Sequence, residues 1–243
     1  MNSDQHILEV QQRVAPLKRL TSHKIPCILW DLDAMHYHHY PYWWEEMDDL
    51  HILVPDNLLE SSAAILVEDG SYDRTSIRCY KHVEHLPGPD KGEYEFPRSI
   101  RLVNSKISCV NESPSHILII PQSYYGLDAE SHNRFQSLVP PMDPSYNGIR
   151  IPKFNTILEG FAHFALYPPG PSNYYFSSNY FDICGFVSHR WEGKKQKPVK
   201  KEILSEIETE DGAWYMVNFL FPLKNSQPMN VYLRQKSARR MNG

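Results

Sequence analysis

The stretch from Ile25 to Gly70 constrains the fold most, because strand and helix signatures alternate twice within it. Ile25-Pro26-Cys27-Ile28-Leu29-Trp30 is an apolar run of strand length, bounded by polar residues, which predicts a buried strand. The polar and aromatic residues 31–40 follow, and a strand leading into a helix is the simplest arrangement. Asp31 stands where its carboxylate can cap that helix by accepting from free first-turn amides. A second strand is predicted over residues 48–55, which begin acidic and end apolar. A helix then opens at Asp56 and runs through Glu68, closed by Asp69-Gly70. Leu58, Leu59, Ala63, Leu66 and Val67 supply its buried face.

Upstream, Ile7, Val10, Val14, Leu17 and Leu20 recur at spacings of three and four, so one apolar stripe runs along a helix that Pro16 bends. Downstream, strands are expected at residues 76–83, 98–103 and 116–120. Residues 122–152, rich in Pro, Ser, Asn and Tyr, read as an irregular connection. Helical spacing returns over residues 153–166 through Phe154, Ile157, Leu158, Phe161 and Phe164, and further helices are expected at 198–209 and 213–221. No internal repeat is visible. The expectation is one domain over residues 1–243: an α/β core (1–121), an irregular connection (122–152) and a mostly helical C-terminal part (153–243). The fold class is α/β (α+β), a mixed sheet flanked by helices.

Composition narrows the function classes. A chain of 243 residues with 41% hydrophobic and 22% charged residues has globular proportions. The formal charge of −4 disfavours a generic electrostatic grip on nucleic acid. Cys27, Cys79, Cys109 and Cys184 show no CxxC spacing, so neither a zinc site nor a disulfide framework is expected. No window reaches the ~18 apolar residues of a membrane span, and residues 1–12 hold no apolar signal stretch, so cytoplasmic residence without membrane association is expected. The P-loop, GxGxxG, GxSxG and HExxH signatures are all missing.

Two runs carry a family resemblance: Cys27-Ile28-Leu29-Trp30-Asp31-Leu32-Asp33-Ala34 and Asp49-Leu50-His51-Ile52-Leu53-Val54-Pro55-Asp56. Together they resemble fungal nucleotidyltransferase-like proteins, with weaker support from residues 116–121 and the helix after Lys153. The resemblance implies a nucleotidyltransferase-like mixed sheet, a cleft for a nucleotide or small molecule, and a divalent metal, Mg²⁺ or Mn²⁺, on an Asp-x-Asp pair. Metal-dependent transfer needs two hard carboxylates alternating on one strand face, because residues two apart point the same way. Here His51 stands in place of the second carboxylate, and Trp30-Asp31 replaces the small glycine turn that admits a triphosphate.

The expected function is therefore that of a diverged nucleotidyltransferase-fold protein that no longer transfers nucleotides and uses the former cleft for a small molecule or nucleotide. The resemblance also hints at fungal secondary metabolism. Asp49 is the candidate metal ligand or base and His51 the second ligand or proton carrier, since an Asp/His pair can bind a transition metal or act as an oriented base. Asp33 and His36 share a helix face by their spacing and join Asp49 as candidate metal ligands. Trp30, Trp43 and Trp44 are the candidate substrate-binding wall. Residues 193–201 and the tail residues Arg234, Lys236, Arg239 and Arg240 are basic, but such runs are more often solvated than bound to phosphate. Two alternatives stay open: a residual metal-dependent nucleotidyltransferase, and a non-catalytic interaction protein presenting aromatic and basic surfaces. The sequence leaves the oligomeric state open.

Overall fold

The computed structural model describes residues 3–38, 49–68, 70–75, 97–105, 114–139, 142–169, 186–187, 201–202, 204–220 and 227–241. The expected strand at 76–83, Trp43 and Trp44, and most of the basic run at 193–201 lie outside the described residues.

The fold is mixed α/β. Among the described residues, seven strands form one sheet: β1 (Cys27–Leu29), β2 (Asp49–Val54), β3 (Tyr72–Arg74), β4 (Ile100–Asn104), β5 (His116–Pro121), β6 (Phe135–Ser137) and β7 (Ile149–Pro152). Their order is β3-β4-β5-β2-β1-β7-β6. The sheet is mixed, since β2 pairs with β5 and β1 with β7 in parallel while the other neighbours are antiparallel.

Strand alternation sorts the core into two apolar clusters, one per sheet face. Cys27, Leu29, Leu50, Ile52, Leu102, Ile117, Ile119, Ile149 and Ile151 face one cluster. It is covered by α1 (Ser3–Arg13), α2 (Ala15–Ser22) and α4 (Leu59–Glu68). Ile28, Leu53, Leu118 and Ile120 face the other, against α5 (Phe154–Leu166). On the far side of α5 lie α6 (Glu210–Tyr215), a π-helical turn (Met216–Leu220) and α7 (Met229–Met241). A short helix, α3 (Asp31–His36), follows β1 at one end of the sheet.

The predicted stripe from Ile7 to Leu20 is two helices broken at Val14, with Pro16 in the first turn of α2, where its missing N–H costs nothing. The helix after Pro55 begins with a 3₁₀ turn (Asp56–Leu58), and Gly70 beyond it takes φ +66°. Leu59, Ala63 and Leu66 are buried as expected, and Ser62 joins them by donating its hydroxyl to the Leu58 carbonyl (2.7 Å).

Residues 122–152 are not an irregular connection. They carry β6 and β7, and β7 completes the sheet beside β1 with Ile149 and Ile151 fully buried. The basic tail is likewise the helix α7. Tyr232 stacks on Trp214 with ring centroids 4.8 Å apart and donates to Asp211 (2.6 Å), while Lys236 and Arg239 pair with Asp211 (2.5 Å) and Glu210 (2.7 Å). Buried Glu159 on α5 fixes the approach to α6. It accepts from the backbone amides of Glu208 (2.5 Å) and Thr209 (3.0 Å) and pairs with Arg134 (2.5 Å).

Candidate functional site

Asp49 and His51 point to the same face of β2 as Leu53, toward the α5 layer, but lie past the edge of its apolar cluster. Register places Asp49 beside His116, and His51 beside Leu118, whose other neighbour is Arg101. The sheet therefore ends in a polar corner, where β1 finishes and β2 and β5 begin.

The turn from β1 into α3 supplies the remaining member. Asp31 does not cap α3. Trp30 holds the N-cap position in extended geometry, its side chain makes no capping hydrogen bond, and Asp31 is the first helical residue with φ +59°. Asp tolerates this left-handed conformation better than most residues, though at a cost. The turn is pinned by the Trp30 amide, which donates to the His51 carbonyl (3.1 Å). The Asp31 carboxylate thereby reaches His51, with Oδ2 2.9 Å from Nδ1.

The second pair is Arg101 and Asp49, with Nη1 donating to Oδ2 at 2.9 Å, and His116 Nδ1 stands 3.8 Å from Asp49 Oδ1. Side-chain exposures of 17% for His51, 19% for Asp31 and 11% for Asp49 leave the cluster mostly covered at the edge of the sheet. Burial disfavours the His51 imidazolium, but Asp31, with Asp49 behind it, outweighs burial and Arg101 and holds the ring's pKa above the ordinary histidine range. Asp31 Oδ1 and Asp49 Oδ1 are both buried and accept no hydrogen bond.

The other sequence candidates are placed differently. Asp33 is 2% exposed and spends both oxygens on Arg13 (2.9 Å each), whose Nη2 also donates to the Asp49 carbonyl (3.1 Å). His36 lies on α3 beside Tyr37, and His38 Nε2 donates to the Pro152 carbonyl (2.8 Å). Among the described residues, no group of three or more His, Cys, Asp and Glu side chains is placed to hold a metal ion. Trp30 is fully buried between Tyr125 and Phe161, so its ring packs the core. Sequence reasoning missed Arg101, His116 and the role of Asp31. The signal for the first two was a single basic residue in an otherwise mostly apolar strand, Arg101 within β4 and His116 at the start of β5.

The pair's electrostatics predict a pH effect. A raised folded-state pKa for His51 means the stability from its pairing is complete below about pH 6.5, the unfolded value, and fades as pH rises through the elevated value. In Asp31→Asn that fall should flatten. Urea denaturation across this window checks it, and an unchanged slope would show that Asp31 does not hold the proton on His51.

No protein-family model matches the chain, and no curated protein matches it. No helix among the described residues is long and apolar enough to cross a membrane.

Proposed function

We propose that the chain binds a small molecule or nucleoside-type ligand at the polar corner of its sheet, with His51 as proton carrier. The observation that supports this reading is the pair of buried carboxylate oxygens, Asp31 Oδ1 and Asp49 Oδ1, that accept no hydrogen bond inside a mostly covered cluster. A buried polar atom without a hydrogen bond costs about 1–3 kcal/mol, and a ligand donating to either oxygen would offset that cost. Asp31 holds one ring nitrogen of His51, which leaves Nε2 to give or take a proton at a bound ligand. Arg101 holds Asp49 through Oδ2 and leaves Oδ1 as an acceptor.

This is the reading of a diverged nucleotidyltransferase-like protein that uses the old cleft without transferring nucleotides. The shared face of Asp49 and His51 on a strand beside a strand-to-helix turn supports it. A metal-dependent transferase would need further carboxylates gathered with Asp49 around the ion, whereas Asp33 spends both oxygens on Arg13 and, among the described residues, no group of three or more His, Cys, Asp and Glu side chains is placed to hold one.

The test is the thermal midpoint against a panel of nucleosides, nucleotides and sugars, with and without Mg²⁺ or Mn²⁺. A ligand that binds only the folded chain raises the midpoint by mass action, by about 2.7 kcal/mol of stability at one hundred times Kd. The expected result is a rise that His51→Ala removes. A rise that persists in both His51→Ala and Asp49→Ala would place the binding elsewhere.

A further inference from the structure

Helix α7 is fastened to the chain more lightly than the strands at the centre of the sheet. Tyr232 alone is buried; Met229, Leu233 and Lys236 are half-covered, and the rest of the helix stands exposed. In β2 and β5, by contrast, Ile52, Leu53, Ile119 and Ile120 are fully buried. The apolar surface an element buries sets how much it costs to open, so α7 comes away at a far smaller cost than the strands separate.

What holds α7 down is gathered on one acid. Asp211, in the first turn of α6, accepts from the Tyr232 hydroxyl at 2.6 Å and faces Lys236 Nζ at 2.5 Å. The Tyr232 ring lies nearly parallel to Trp214, 4.8 Å between centroids and 17° between planes, and Lys236 Nζ stands 5.5 Å from the centre of the Tyr167 ring. The other ion pair, Arg239 with Glu210, is more than half exposed on both sides and adds little. Gln227, just before the helix, is fastened separately: its amide donates to Asn218 Oδ1 (2.6 Å) and its side-chain carbonyl accepts from Trp214 Nε1 (3.2 Å). Only an exposed bond from Gln227 Nε2 to Gln235 (2.8 Å) links it forward into α7. A release of the helix therefore turns about Pro228 and leaves α6 in place. We infer that α7 is a latch: it opens as one unit about Pro228 while the sheet stays folded, with Asp211 holding it shut and the Trp214 ring bared when it opens.

The experiment is native-state hydrogen exchange on the full chain, followed amide by amide by NMR in rising urea below the unfolding transition. The amides of residues 233–240 should exchange through one opening with a shared urea dependence, and be at least about a hundredfold less protected than those of β2 and β5. Asp211→Ala should raise that opening about ten- to hundredfold, and Tyr232→Phe, which keeps the ring and loses only its hydroxyl, about tenfold. A substitution in the sheet separates the latch from global unfolding. Ile119→Val, which trims a fully buried side chain of β5 on the face away from α5, should lower the protection of β2 and β5 about two- to tenfold and leave residues 233–240 unchanged. If residues 233–240 lose protection in Ile119→Val by the same factor as the strands, α7 opens only when the whole chain unfolds and the inference falls. It falls equally if those amides fray one by one with no common urea dependence, or if Asp211→Ala and Tyr232→Phe leave their exchange where it was.

Discussion

Replacing Arg13 by alanine is expected to destabilise the chain by about 3–5 kcal/mol, because it strands the Asp33 carboxylate in a site where Asp33 is only 2% exposed. Arg13 reaches from the end of α1 to grip both Asp33 oxygens and the backbone carbonyl of Asp49. One guanidinium thus ties together α1, α3 and the start of β2. The double variant Arg13→Met/Asp33→Leu should recover most of the loss, as apolar replacements of buried ion pairs often do. It should still fall short by about 1–3 kcal/mol for the Asp49 carbonyl, which loses its charged donor. Urea denaturation of both variants beside the unsubstituted chain measures this. A loss below 1 kcal/mol for Arg13→Ala would mean that Asp33 finds water, and that the pair does not set the corner's geometry.

Arg13 also shows where the sequence speaks and where it stays silent. The stripe Val10, Val14 and Leu17 is legible at helical spacing, and a charged residue beside Val14 at its end is a visible anomaly. Its partner, twenty residues on, is not visible, because nothing in local spacing says which acid a buried arginine meets. Strands β1, β2 and β5 and helices α4 and α5 were legible for the same reason: each buries an apolar run or stripe long enough to stand out from its flanks. Strand β7 offers only Ile149 and Ile151 among prolines and polar residues, and its place is fixed by pairing with β1, a contact more than a hundred residues away in the chain. Helix α7 buries little besides Tyr232, so its sequence has the look of a solvated basic tail. At the corner, the common face of Asp49 and His51 followed from the period of a strand. That Asp31 serves His51 and leaves α3 uncapped depends on one left-handed residue, and a cap-forming side chain gives no sign of that choice.

Trp30→Ala is expected to cost about 3–5 kcal/mol, and it tests whether the corner depends on the core beneath it. The indole is fully buried, 4.5 Å from the Tyr125 ring and 5.3 Å from Phe161 by centroids, and it lies over Gly160 of α5. A Cβ at position 160 would stand 2.5 Å from Trp30 Cη2, so this glycine is needed for the close approach of ring and helix. Gly160→Ala should therefore cost about 1–3 kcal/mol by overpacking. Trp30→Phe should cost less than Trp30→Ala, because the phenyl ring fills most of the cavity that alanine leaves, while both remove the indole Nε1, a buried donor without a hydrogen-bond partner. Combined with Trp30→Phe, the alanine at 160 gains room, so the double variant should be more stable than the sum of the single losses predicts. Trp30 directly precedes Asp31, and a cavity in place of the indole loosens the turn that holds Asp31 against His51. Trp30→Ala should consequently lower the His51 pKa toward its ordinary value even under conditions where the variant is fully folded. If the His51 titration stays put while stability falls, the β1–α3 turn is held by its own hydrogen bond to β2, and the site is insulated from the packing below it.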